Sequence, residues 1–224
     1  MGLLWRRFLS QQKETQMNTI GLFPTLIYKD TIGDYNRDAV LERTQYYLKK
    51  YPEYKQGNLE GGARGIHDSF GELHKDPVFK EIVAFINQSV AKYWQELGYT
   101  NEWKPGICQM WANQYPRGGY ASVHNHAPMW LTGVFYLVNE EHMGDLFLVN
   151  PNQALLDMQP LADDARYTNR NTPVKVRTND LVIFPGWLGH GTYPNNTDTT
   201  RIVIPFEIAF SGMDLFQRIQ KEKS

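Results

Sequence analysis

His124, Asn125 and His126 stand together in a stretch of strand-forming residues. Residues two apart on a strand project to the same face, so both imidazoles can turn toward one ion. Imidazole nitrogen is a good ligand for first-row metals such as iron. A third donor must come from a distant strand, and His190 is the natural candidate, in Phe184-Pro185-Gly186-Trp187-Leu188-Gly189-His190. It follows an apolar strand pattern, and flanking glycines permit close backbone approach at a crowded site. Asp145 competes with His126 for the remaining ligand position, and the shared strand face of His124 and His126 favours His126. The other histidines read differently. His142 follows two glutamates in a hairpin-like turn and is expected in solvent. His67-Asp68 and His74 fall in an irregular stretch that could border a substrate entrance.

The elements that must hold these residues fall in two groups. Residues 20–30 read as an early edge strand, where Pro24 is tolerated because an edge can spare an N–H. Residues 36–50 form an amphipathic helix with Val40, Leu41, Thr44, Tyr47 and Leu48 on one stripe. A second helix starts at an Asp76 N-cap with Pro77 in first position and runs through Phe79, Ile82, Val83, Ile86, Val90, Tyr93, Trp94 and Leu97. It stops at Gly98. Its periodicity is that of a packing helix without chemistry. From residue 105 the pattern changes to short strands, expected at 106–115, 120–126, 130–138, 145–149, 173–177, 180–185 and 200–210. Helices first and strands afterwards predict an α+β fold, with helices supporting a β-barrel or sandwich. Residues 1–16 read as a loose extension and 17–224 as a single domain, with helical support at 34–100 and the barrel at about 105–210. The long connection 151–172 has the length of a lid or binding loop.

The order of these motifs resembles the prolyl-hydroxylase-like 2-oxoglutarate/iron(II) oxygenases. Gln109-Met110-Trp111-Ala112-Asn113-Gln114-Tyr115-Pro116-Arg117-Gly118-Gly119-Tyr120 leads into His124-Asn125-His126, as their tyrosine strand and glycine turn lead into His-x-Asp. Leu131-Thr132-Gly133-Val134-Phe135-Tyr136-Leu137 is similar to their aromatic strand, and Gly144-Asp145-Leu146-Phe147-Leu148 to their Gly-x-Leu-x-Phe strand. Asn179-Asp180-Leu181-Val182-Ile183-Phe184-Pro185, His190 and Arg201 resemble the closing block. A bacterial and phage type of this family carries His-x-His before Ser-Gly-Val-Tyr-Tyr. The resemblance covers roughly residues 105–210. It implies a double-stranded β-helix, a jelly-roll or cupin-like barrel, with iron(II), 2-oxoglutarate and dioxygen. One oxygen atom goes to succinate and the other to a hydroxylated substrate.

Three facial ligands leave adjacent positions open for the cosubstrate's 2-oxo acid end and for dioxygen. The far carboxylate of 2-oxoglutarate needs a buried cation. Arg201 lies eleven residues after His190, beyond the turn Tyr193-Pro194-Asn195-Asn196-Thr197-Asp198, which can fold it back toward the metal. A guanidinium fork matches a carboxylate. Tyr136 is placed to donate to that carboxylate and Tyr115 to reach the metal-bound end. No catalytic side chain beyond the metal ligands is implied. This sequence departs from the family where His126 replaces the usual aspartate, leaving three neutral imidazoles. Two rival readings follow: a cupin-like three-histidine enzyme that does not use 2-oxoglutarate, or a silent barrel kept as a binding module.

Composition narrows the classes. A net charge of −1 argues against a broad nucleic-acid surface, so the unidentified substrate is expected to be a small molecule or a peptide side chain. No apolar run is long enough to span a bilayer. The start, Met1-Gly2-Leu3-Leu4-Trp5-Arg6-Arg7, lacks the pattern of a signal peptide, which predicts a cytoplasmic protein. The single cysteine, Cys108, has no disulfide partner and is expected as a small buried hydrophobe.

Overall fold

The computed structural model describes residues 24–51, 57–66, 70–99, 104–152 and 169–211. Its strands are β1 (Tyr28–Thr31), β2 (Leu59–Glu60), β3 (Arg64–Gly65), β4 (Lys104–Met110), β5 (Asn113–Tyr115), β6 (Tyr120–Ala121), β7 (Leu131–Val138), β8 (Leu146–Val149), β9 (Asn171–Val174), β10 (Asp180–Pro185), β11 (His190–Thr192) and β12 (Arg201–Ser211). The helices are α1 (Arg37–Lys50) and α2 (Lys80–Glu96). A seven-stranded antiparallel sheet runs β1-β10-β7-β12-β5-β3, with β4 also paired to β12. A three-stranded sheet, β11-β8-β9, and a two-stranded one, β2-β6, accompany it.

Strict alternation along the central strands divides the large sheet into two faces. Leu131, Phe135 and Leu137 of β7, Leu181 and Ile183 of β10, and Ile202, Ile204, Phe206 and Ile208 of β12 meet the helices. Val40, Tyr47 and Leu48 of α1 and Ile82, Ile86, Val90, Tyr93 and Trp94 of α2 complete that core. Each such fully buried side chain contributes about 1.5–3 kcal/mol relative to exposure. The opposite parity, Tyr136, Val182, Phe184 and Val203, packs with Tyr115, Ala121, Leu146, Leu148 and Leu188 in a second core inside the barrel. Gly133 on β7 is needed for this packing. A methyl there would come within 2.3 Å of the Phe206 ring and 2.7 Å of the Val182 carbonyl oxygen.

The helices start where the sequence places them. Asn36 caps α1 by accepting from the Ala39 N–H. Asp76 accepts from the Val78 N–H ahead of a short 3-10 turn, Pro77–Phe79, that leads into α2. Gly98 follows α2 with φ +73°.

Several expected strands are revised. Among the described residues the edge strand covers 28–31, with Pro24 in the irregular lead-in, while 20–23 of the expected strand lie outside them. The 106–115 stretch divides into β4 and β5 at Trp111 and Ala112, where the Trp111 N–H reaches Pro205 O at 3.1 Å but Pro205 has no N–H to return. The 120–126 strand ends at Ala121, and His124 makes only an isolated bridge to His190. His190 itself opens a strand that apolar alternation did not reveal. Cys108 is exposed, not buried. The register across β12 shifts between Glu207↔Gln109 and Ile208↔Ile107, so Cys108 is the extra residue of a bulge and is turned out of the alternation.

Candidate metal centre

His124, His126 and His190 converge, with one ring nitrogen from each lying within 4.8 Å of the others. His124 and His190 hold each other by two backbone hydrogen bonds, His124 N–H to His190 O at 3.0 Å and His190 N–H to His124 O at 2.9 Å. His126 is tied by its N–H to Gly186 O at 2.7 Å. The glycines flanking this block have a steric reason. A Cβ on Gly186 would fall 2.1 Å from the Met129 carbonyl oxygen, and one on Gly191 would fall 2.6 Å from the Phe147 ring.

The partner of each Nδ1 settles the tautomers. His124 Nδ1 lies 2.8 Å from the Ser122 carbonyl oxygen, and His190 Nδ1 lies 2.9 Å from that of Leu188. A carbonyl can only accept, so both Nδ1 atoms carry the proton. His126 Nδ1 meets Glu207 Oε1 at 2.7 Å, and it too donates. All three Nε2 lone pairs are thereby left for a shared ion. Burial reinforces the neutral state: it pushes His124 down to about 4, and His190 well below the usual imidazole range. Protons therefore compete poorly for these two nitrogens at neutral pH.

The imidazoles open into a cavity of about 190 Å³ whose other walls include Asn113, Tyr115, Thr132, Val134, Tyr136 and Thr192. Behind Tyr115 and Thr192 of that wall lies Arg201, fully buried, with its guanidinium 4.2 Å from the Tyr115 ring centroid. Nη1 donates to the carbonyls of Met143 and Gly144 at 2.8 and 2.6 Å, and Nη2 to Thr192 Oγ1 at 2.8 Å. Arg201 Nε, Tyr136 Oη and Asn113 Oδ1 are buried without a hydrogen-bond partner among the described residues. Burial raises the Tyr136 phenol, which keeps it protonated and able to donate. The turn that returns Arg201 to the barrel is clamped by buried Asn195, whose Nδ2 donates to Tyr115 O and Thr199 O.

Residues 109–207 match the family described as "Putative 2OG-Fe(II) oxygenase". That segment runs from the end of β4 into β12 and holds all three histidines. Solved structures share the fold at low identity. HygX from Streptomyces hygroscopicus, crystallised with nickel, 2-oxoglutarate and hygromycin B, is 13% identical with a TM-score of 0.56, over 84% of each chain. A Pseudomonas putida prolyl-4-hydroxylase is 14% identical with a TM-score of 0.52, over 84% of this chain and 94% of its own. A Trichoplax adhaerens prolyl hydroxylase, in complex with a hypoxia inducible factor peptide fragment, is 16% identical with a TM-score of 0.56, over 97% and 94%. The shared architecture is the double-stranded β-helix, as the motif order implied. No curated protein sequence matches the chain.

The remaining site candidates scatter. Asp145 is apart from the imidazole cluster and pairs with Lys175 at 2.7 Å and Arg177 at 3.8 Å. His142 is exposed in a turn, as expected. His74 sits on a 3-10 turn and does not line the cavity. His67, Asp68 and residues 153–168 of the suspected lid lie outside the described residues. Glu207, which the sequence reading missed, lines the cavity and grips His126. Its signal was parity: it stands six residues after Arg201 on one strand and shares its face. Among the described residues, no helix is long and apolar enough to cross a membrane.

Proposed function

We propose that this oxygenase binds iron(II) on His124, His126 and His190, binds 2-oxoglutarate in the adjoining cavity, and hydroxylates a C–H bond of a small molecule or peptide side chain. The observation that carries the ligand set is the fixed tautomer of all three imidazoles, each with Nδ1–H donated and Nε2 free. Iron(II), when bound, supplies the redox chemistry by which dioxygen and 2-oxoglutarate yield succinate, carbon dioxide and the hydroxylated product. The protein's part is positional. Arg201 Nε and Tyr136 Oη, two buried groups without partners, suit the far carboxylate of the cosubstrate. A buried donor left unmade costs about 1–3 kcal/mol, which that carboxylate would recover. Thr192 orients the guanidinium, and the apolar walls Val134, Leu146 and Val203 exclude water around the chain of the diacid. Asp145 has no part in the centre on this reading, because Lys175 and Arg177 engage its carboxylate. Residues 17–224 act as one oxygenase domain. A cytoplasmic location belongs to the same reading, consistent with a lone cysteine that has no disulfide partner within the chain.

The deciding experiment loads the protein anaerobically with iron(II) and adds 2-oxoglutarate, then air. A weak visible charge-transfer band should appear before air is admitted, and succinate should form slowly afterwards even without substrate. Bound iron without the band would favour a three-histidine enzyme that does not use 2-oxoglutarate. Failure to bind iron at all would favour a barrel retained for binding alone.

A further inference from the structure

The three imidazoles are supported in two different ways. His124 and His190 each donate Nδ1–H to the neutral carbonyl two residues earlier in their own chain segment. His126 instead donates to the carboxylate of Glu207, a residue 81 positions away on β12. Both side chains are nearly buried, at 13% and 11% exposed. Glu207 is the one acidic residue among the described residues that line the cavity. A buried carboxylate is expensive unless positive charge stands close by. Among the described residues no lysine or arginine is paired with it, and the ion pair Glu207 makes there is with His126. A dication on the far side of that imidazole would be the missing charge.

We infer that Glu207 is a positioning residue of the metal centre, fixing the His126 ring through Nδ1–H and supplying, from behind the ring, the negative charge that the usual ligand carboxylate of this family supplies directly. The inference rests on the three-histidine reading above. It also reverses one implication of the motif comparison. His-x-His and His-x-Asp look interchangeable in sequence. Here they are not, because an aspartate oxygen reaches about as far from the backbone as imidazole Nδ1. In a His126→Asp variant the new carboxylate would therefore meet Glu207 head on. His126 and Glu207 form a matched pair, and either change alone is harmful where the two together are tolerated.

The test is a double-mutant cycle read by metal binding rather than turnover. Cobalt(II) serves as an air-stable probe. Its affinity is measured by chelator competition and its coordination by visible ligand-field absorption. Folding is followed by circular dichroism, with His190→Ala as the control for the centre itself. Glu207→Gln and Glu207→Ala should weaken cobalt binding about 10- to 100-fold and shift the absorption. His126→Asp should also bind weakly, and adding Glu207→Gln to it should restore affinity by at least tenfold. That change of sign between backgrounds is something a purely structural glutamate would not produce. Unchanged affinity and spectrum in Glu207→Gln, or equal harm from it in both backgrounds, would overturn the inference. If the double variant does not fold, the single Glu207→Gln result decides. Should His190→Ala keep its cobalt, the ligand assignment fails. Loss in His190→Ala beside an unaffected Glu207→Gln removes only the role of Glu207.

Discussion

Tyr136 and Arg201 are both proposed for the far carboxylate of the cosubstrate, yet they do not offer the same experiment. Arg201 also satisfies backbone carbonyls of Met143, Gly144 and Tyr193. Arg201→Ala should therefore weaken 2-oxoglutarate binding by the loss of a charged partner, on the order of 2–5 kcal/mol, and lower stability as well, while metal binding survives. Tyr136 Oη holds nothing in the described structure. Tyr136→Phe removes a buried unsatisfied hydroxyl and should leave the melting temperature equal or slightly raised. Affinity for 2-oxoglutarate should nevertheless fall roughly 10- to 100-fold, as expected for a hydrogen bond of about 1.5–3 kcal/mol to a charged group. Titration of the charge-transfer band and a thermal melt separate the two effects. If stability and affinity fell together in Tyr136→Phe, the hydroxyl would have a protein partner and its assignment to the cosubstrate would be wrong. The histidine triad and Arg201 were legible because type and spacing expose them. Glu207 was not: parity puts it on the face of Arg201, but only the fold shows that His126, 81 residues away, lies beside it.

Strand β12 is the element that organises the site. Arg201, Val203, Pro205 and Glu207 share one parity, and the last three line the cavity. A cation stands at one end and a carboxylate at the other, roughly 20 Å apart along the strand. The intervening Ile202, Ile204 and Phe206 face the helices. Strong period-two segments such as β7, β10 and β12 were readable for this reason. Strand β11 has three residues, too few for alternation to register, and its place comes from pairing with β8. The cation end depends on Gly144, which has φ +89°. A methyl there would lie 2.1 Å from the Tyr193 carbonyl oxygen and 2.8 Å from Arg201 Nη1. Gly144→Ala must therefore move the β8 lead-in, and with it the carbonyl that Arg201 grips. We expect a stability loss of about 1–3 kcal/mol and weakened 2-oxoglutarate binding with cobalt affinity retained. Equal loss of cobalt binding would mean that the two ends of the cavity are not independent.

At the scale of the whole molecule, the three histidines proposed as ligands are anchored to different sheets. His190 opens β11 of the small sheet, and His124 is bridged to it. His126 reaches β12 of the large sheet through Glu207. An ion on these side chains therefore ties one sheet to the other across the mouth of the barrel, while the opposite face of the large sheet is already closed by α1 and α2. The unfolded chain has no such preformed site, so metal binding favours the folded state by mass action. With free metal at a thousand times its Kd, the added stability is about 4 kcal/mol. For a domain of this size each kcal/mol moves Tm by about 2–4 °C. A chelator should then lower Tm by roughly 8–16 °C, and re-added iron(II) or cobalt(II) should restore it. His190→Ala should melt at one temperature with or without metal. A parent protein indifferent to the chelator, after metal content has been shown to fall, would mean that the ion does not bridge the sheets in the folded state, and the three-histidine centre would have to be abandoned.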